Sequence, residues 1–140
     1  MKQAVTAADI ILFSGITLAV IEEEDRAGFL AVLAEARTAG KQIAFDPNIR
    51  ARLWPDKSEI PNAIMKAAAC ATILMPSFDD EAAFFGDASP QDTIARYSKI
   101  GLHHIVVENG PAGVDIFFDD RSIYAGRSRT RGRGHDKRRR

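Results

Sequence analysis

Cysteine is almost absent from this 140-residue chain, and apolar runs long enough to span a membrane are absent altogether. The lone Cys70 excludes an internal disulfide and is typical of a reducing compartment. A signal-peptide layout is missing too, because the first apolar run begins only after Asp9 and stops at Glu22. These absences predict a cytoplasmic location.

Motifs for nucleophilic catalysis and Walker-type phosphate loops are also missing. No Gly-Lys-Ser or Gly-Lys-Thr triplet occurs, and no serine lies in a nucleophile-elbow sequence. The pair His103-His104 has no carboxylate or cysteine at metal-ligand spacing, so we interpret it as part of a turn.

Charge divides the chain into two parts, although its formal net charge is zero, with 19 basic and 19 acidic residues. Residues 127–140 hold eight Lys or Arg and one Asp, which leaves 11 basic and 18 acidic residues, a net of −7, in residues 1–126. We therefore predict an acidic globular domain over 1–126 and a basic, disordered tail over 127–140. Such a tail binds polyanions nonspecifically, but the acidic domain and the absence of aromatic residues from the tail argue against a selected nucleic-acid role.

Apolar runs alternate with helical patterns along the domain. Four runs predict buried strands, at residues 10–13, 43–45, 73–75 and 105–107. Four segments between them predict helices, at residues 22–39, 58–71, 79–85 and 90–100, and residues 114–118 and 122–124 predict a hairpin. Strands joined by single helices imply right-handed crossovers, and hence an α/β fold whose mostly parallel sheet carries helices on both faces.

The most informative stretch is Phe-Asp-Pro-Asn-Ile-Arg at residues 45–50, directly after a predicted strand. Pro47 has no N–H to donate, so the chain must leave the sheet there. Ligands of open α/β sheets bind at the carboxyl ends of strands. Asp46, Asn48 and Arg50 are therefore candidates to meet a small anionic or hydroxylated ligand, with Arg50 as a carboxylate or phosphate clamp. A helix N-cap followed by a turn is the open alternative.

Two later loops repeat this pattern at strand ends. Residues 76–81, Pro-Ser-Phe-Asp-Asp-Glu, place three acids in the first turn of a predicted helix. They either complement the helix dipole or organise Mg²⁺ beside phosphates. Residues 108–113, Glu-Asn-Gly-Pro-Ala-Gly, carry two glycines three apart, which let the backbone approach a nucleotide closely.

Taken in order, and preceded by Ser-Gly-Ile at residues 14–16, these loops resemble the ribokinase/PfkB carbohydrate kinases. Within that family they are most similar to the 2-keto-3-deoxygluconate kinases, over residues 8–126. The resemblance implies a ribokinase-like (Rossmann-like) three-layer fold and ATP-dependent phosphorylation of a sugar acid with Mg²⁺. It also implies three sets of site residues: Asn48 and Arg50 for sugar and phosphate, Asp80 and Glu81 for metal organisation, and Glu108, Gly110 and Gly113 for the nucleotide. Fructokinase-like relatives share the 45–54 pattern, so the sugar itself stays open.

Some positions depart from the family pattern. Ser77 stands where many members have Asn, and Glu108 where Thr or Lys is usual. The chain also begins after the family's first strands and lid, and ends before the segment that carries the anion hole and catalytic Asp. We therefore expect a truncated, inactive kinase fragment whose exposed sheet edges favour self-association. The alternative is a protein that binds nucleotide or sugar without turnover.

The basic tail is explained by a shifted reading frame. One permitted codon set for residues 133–140 is CGT GGA CAC GAC AAG CGC CGG CGA. Read from its second base, it encodes Val-Asp-Thr-Thr-Ser-Ala-Gly followed by Asp or Glu, which is the family's missing catalytic segment. A frameshift near codon 126 is therefore our hypothesis for this tail.

Overall fold

The computed structural model describes residues 1–126, so the predictions for the tail at 127–140 lie outside the described residues. These residues form a six-stranded sheet whose strands lie in chain order. The strands are β1 (Ile10–Ser14), β2 (Gln42–Asp46), β3 (Ile73–Leu74), β4 (His104–Glu108), β5 (Val114–Phe118) and β6 (Arg121–Ala125).

The sheet is mixed in direction. Strands β1 to β4 are parallel, and β4, β5 and β6 pair antiparallel. The turn between β5 and β6 is made by Asp119 and Asp120, both with positive φ (46° and 65°). Two successive positive φ values match the right-handed twist of a tight hairpin. The predicted mostly parallel α/β sheet and its terminal hairpin are confirmed.

Residues 1–126 contain six helices, one before β1 and five between β1 and β4: α1 (Lys2–Ala7), α2 (Gly15–Val20), α3 (Glu23–Thr38), α4 (Ile60–Ala68), α5 (Phe78–Phe85) and α6 (Pro90–Ser98). Short 3-10 turns lie at Ala51–Leu53, Lys57–Glu59 and Gly110–Ala112. Helices α3 to α6 match the predicted segments, whereas α1 and α2 were not predicted. The start of α6 shows why the pattern works, since Ser89 accepts a hydrogen bond from the Asp92 amide and Pro90 occupies the first helical position.

The hydrophobic core lies between one face of the sheet and the helices. Phe13 stacks on Phe45 with ring centroids 4.5 Å apart, and meets Phe29 of α3 edge-on. Ile43, Leu74, Ile105 and Val107 point to the same side and are buried; they follow the register of adjacent strands.

The opposite sheet face is largely uncovered within residues 1–126. Each crossover from β1 to β4 steps in the same direction along the sheet, so right-handed connections place their helices on one face. The described residues thus supply two of the three predicted layers. We call the uncovered side the open face; it consists of Ile10, Leu12, Val106, Ile116, Phe118 and Ile123. Ile10 and Leu12 on the edge strand are 63% and 68% exposed.

Membrane insertion by a helix finds no support in residues 1–126. Even α3, with 16 residues, falls short of the length and apolarity that a bilayer-spanning helix requires.

Candidate functional site

The loop at residues 46–50 leaves the carboxyl end of β2 and is held by burial of two of its residues. Pro47 and Ile49 are buried, Asp46 and Asn48 are half-buried, and Arg50 is exposed. Asn48 adopts a positive φ of 30°, a conformation that asparagine tolerates better than most residues. The chain thus turns sharply at Asn48 and continues into the turn at Ala51–Leu53.

The end of β1 packs directly against this loop. A β-carbon on Gly15 would overlap the carbonyl oxygen of Pro47, so only glycine fits between the two segments. Ser14 fixes the helix that begins at Gly15. Its hydroxyl accepts from the Thr17 amide, and its own amide donates to the Thr17 hydroxyl at 3.3 Å.

The end of β3 reaches the same loop through Asp80 in the first turn of α5. The backbone N–H of Ile49 donates to Oδ2 of Asp80 at 3.2 Å. β3 is in turn tied to β4, because the Glu108 amide donates to the Pro76 carbonyl at 2.9 Å and Ser77 forms a parallel bridge with Glu108. The carboxyl ends of β1 to β4 therefore meet along one edge of the sheet.

The pKa of Asp46 depends on charged groups from these neighbouring strand ends. Burial is the largest influence and raises the pKa of Asp46, and the negative charges of Glu108 and Asp80 raise it further. The Asn48 amide and the Arg50 guanidinium act in the opposite direction and lower that pKa. Asp46 thus lies within electrostatic range of two further carboxylates and one arginine at the edge.

The predicted nucleotide residues line a groove next to this edge. The groove has a volume of about 520 Å³ and is lined by Glu108, Gly110, Gly113 and four neighbours, Pro111, Val114, Ala125 and Gly126. The loop that carries both glycines is closed by a backbone hydrogen bond, in which the Asn109 amide donates to the Gly113 carbonyl at 2.8 Å. Gly113 has φ of 109°, and a β-carbon there would overlap the Ala125 carbonyl oxygen.

Glu81 lies apart from the other predicted site residues. Its side chain is fully buried and accepts hydrogen bonds from Arg96 Nη2 at 2.6 Å and from the Tyr97 hydroxyl at 3.0 Å. Arg96 also binds Asp87 at 2.5 Å, which makes a buried ion-pair network between α5 and α6. Burial raises the pKa of Glu81 to about 7 in spite of Arg96 and Tyr97. With its oxygens so engaged, Glu81 does not face the strand-end edge beside Asp80.

Most of the predicted site residues therefore lie close together, and one, Glu81, lies apart from them. Asn48, Arg50, Asp80 and Glu108 belong to the strand-end edge, and Gly110 and Gly113 to the adjoining groove. The packing of Gly15 on Pro47 was not predicted, although the Ser-Gly pair after the first apolar run marked that position. The Arg96 and Asp87 partners of Glu81 had no signal in the sequence.

Known proteins resemble this chain in sequence and in fold. The sequence profile of the pfkB family carbohydrate kinases matches residues 1–127. A 2-dehydro-3-deoxygluconokinase of Haemophilus influenzae is 34% identical over 115 residues, which is 82% of this chain and 36% of the relative. This chain thus spans about a third of the length of the curated relatives it matches.

Solved structures agree with the fold. The crystal structure of a PfkB protein from Polaromonas sp. JS666 has a TM-score of 0.82 at 22% identity and covers 90% of this chain and 42% of its own. The fructokinase of Vibrio cholerae, solved with fructose, ADP and a calcium ion, has a TM-score of 0.73 at 20% identity. The match covers 84% of this chain and 37% of the fructokinase chain.

Proposed function

Because this chain belongs to the pfkB family of carbohydrate kinases, we propose that residues 1–126 supply the sugar-acid and nucleotide edge of a 2-keto-3-deoxygluconate kinase. The observation that carries the proposal is the convergence of Asn48, Arg50, Asp80 and Glu108 at the carboxyl ends of three neighbouring strands. This edge is where open α/β sheets bind their ligands. A cytoplasmic location is part of the same proposal.

Arg50 is the residue that we assign to the carboxylate or phosphate of the ligand. Its guanidinium is exposed, and among residues 1–126 it takes part in no salt bridge. A planar guanidinium pairs with a carboxylate through two parallel hydrogen bonds. Asn48, two residues earlier, offers an amide donor and acceptor for sugar hydroxyls.

ATP and Mg²⁺ are the cofactors that this proposal implies. The oxygen-rich edge suits Mg²⁺, which is usually held by one or two carboxylates together with water and phosphate oxygens. Asp80 is the carboxylate best placed for this role, and Glu81 is left out of it. Within residues 1–126 no three His, Cys, Asp or Glu side chains converge to hold a metal ion by themselves, so phosphate oxygens must complete the site.

Turnover is a separate matter from binding. Phosphoryl transfer depends on positioned groups that neutralise charge on the moving phosphoryl. The resemblance assigns the anion hole and the catalytic Asp to a segment outside residues 1–126. We therefore propose that this polypeptide by itself binds its ligands without phosphorylating the sugar acid.

Calorimetric titration of the 140-residue chain with 2-keto-3-deoxygluconate, with and without Mg-ATP, tests the proposal. We expect Arg50→Ala to weaken sugar-acid binding by about 10- to 100-fold, because it removes a charge-assisted hydrogen bond. Arg52→Ala is the matched control, since Arg52 is an exposed arginine two residues away in the next turn. Absence of binding by the unaltered chain, or equal losses in both variants, would refute the assignment. Fructose that binds with an affinity independent of Arg50 would instead favour a neutral sugar.

A further inference from the structure

One residue of the 46–50 loop, Asn48, has an unfavourable backbone conformation. Asn48 has φ of +30°, in the left-handed half of conformational space that side chains other than glycine adopt at a cost. Such a conformation persists only where the surroundings over-determine it. Two of the surrounding contacts are apolar or steric: the buried Ile49 side chain and the close approach of Gly15 to Pro47.

The third contact is polar and comes from a different strand end. Oδ2 of Asp80 accepts the Ile49 amide at 3.2 Å, across 31 residues of sequence. A backbone N–H bonded to a charged acceptor is a stronger contact than an amide–carbonyl bond, particularly where water is partly excluded. The bond joins the first turn of α5 to the residue that directly follows the strained Asn48.

We propose that Asp80 is a positioning residue that holds the Ile49 amide and thereby fixes Asn48 and Arg50 for the ligand. This role rests on the proposed function, since Asn48 and Arg50 flank Ile49 and are the groups assigned there to the sugar acid. Oδ2 accepts the Ile49 amide, and Asp80 would also be one of the carboxylates that hold Mg²⁺. Asp80 thus couples the metal-organising strand end to the sugar-binding strand end.

Three variants distinguish loss of the Ile49–Asp80 hydrogen bond from loss of the negative charge on its acceptor. Asp80→Ala removes the acceptor, whereas Asp80→Asn keeps an oxygen at the same position and removes only the charge. Asp79→Ala is the control, because Asp79 is an exposed acid in the same first turn of α5. The primary measurement is NMR hydrogen exchange of the Ile49 amide in the full 140-residue chain without metal or ligand.

We expect exchange at Ile49 to accelerate about tenfold or more in Asp80→Ala, to accelerate less in Asp80→Asn, which keeps a weaker neutral acceptor, and to be unchanged in Asp79→Ala. Binding of 2-keto-3-deoxygluconate should follow the same order, with Asp80→Asn rescuing most of the affinity lost in Asp80→Ala. A general loss of stability would instead accelerate exchange across the core amides as well, so those amides serve as an internal reference.

Two results would overturn the proposal. One is unchanged exchange at Ile49 in Asp80→Ala; the other is faster exchange with no loss of sugar-acid affinity. If the unaltered chain binds no sugar acid, the proposed function fails, together with the positioning role that rests on it. In that case, faster exchange at Ile49 in Asp80→Ala would still show that Asp80 holds the 46–50 loop in place, although not for a sugar acid.

Discussion

Gly15 and the carbonyl oxygen of Pro47 are packed so closely that a methyl group on Gly15 would overlap that oxygen. The two residues follow β1 and β2, so this contact brings the first two strand ends of the candidate site together. Any side chain at position 15 must displace the 46–50 loop.

Gly15→Ala should therefore destabilise the chain and disturb the loop at the same time. Overpacking of this kind costs about 1–3 kcal/mol in the free energy of unfolding, measurable by urea denaturation. Gly28→Ala is the matched control, because nothing lies within 4 Å of a β-carbon at Gly28 in α3. We expect that control to stabilise the chain by up to about 1 kcal/mol, since alanine favours helix. Similar effects from both variants would show that the Gly15 contact is unimportant.

Glu81 predicts how stability depends on pH. Its pKa is raised to about 7 by burial, whereas a glutamate in an unfolded chain has a pKa of about 4.3. Between these values the folded chain binds more protons than the unfolded chain. The free energy of unfolding should therefore fall as pH rises from about 4.5 to about 7, by up to about 3 kcal/mol, and level off above that range.

Urea denaturation of Glu81→Gln across the same pH range isolates this effect. Glutamine is neutral throughout, so the variant should lose the contribution of position 81 while other titrating groups cancel in the difference. Parallel stability curves for the two proteins would mean that Arg96 keeps Glu81 ionised in the folded state.

The open face predicts self-association of the chain. Leu12 lies both on that face and on β1, whose outer side has no strand partner within residues 1–126, and exposed apolar edges promote pairing between molecules. Leu12→Lys should shift sedimentation-velocity profiles towards the monomer at concentrations where the unaltered chain associates. Val20→Lys is the control, because Val20 is 66% exposed but lies at the end of α2, off the sheet. A monomeric unaltered chain would contradict this prediction.

The glycines of the nucleotide groove should differ in their effects. Gly110 has φ of +48° and nothing lies within 4 Å of a β-carbon built on it, so Gly110→Ala introduces only backbone strain, about 1–2 kcal/mol. Gly113→Ala adds overlap with the Ala125 carbonyl and should weaken both stability and Mg-ATP binding more strongly. Thermal denaturation and ATP titration of the two variants provide the comparison, and a larger loss from Gly110→Ala would argue against the groove geometry.

Much of the sheet was predictable because buried parallel strands leave continuous apolar runs, such as residues 43–45 in β2. The prediction that β1 is buried was wrong, because Ile10 and Leu12 lie on the open face and are exposed. Helix α2 was not predicted because its six mostly apolar residues follow β1 directly and resemble a continuation of that strand. The position of Glu81 could not be predicted either. Neighbouring helical residues point about 100° apart, so Asp80 and Glu81 face different surroundings, and only the location of Arg96 decides which one is buried.

Strand order has a consequence for how this sheet is made. Within residues 1–126, each of the five strands from β2 to β6 pairs with the strand that precedes it in the chain. No strand has to wait for a distant partner, so loop-closure entropy stays small at every step. During synthesis, each strand can add to an edge that already exists as it leaves the ribosome. Within residues 1–126, the sheet can thus grow from β1 towards β6 at the pace of translation.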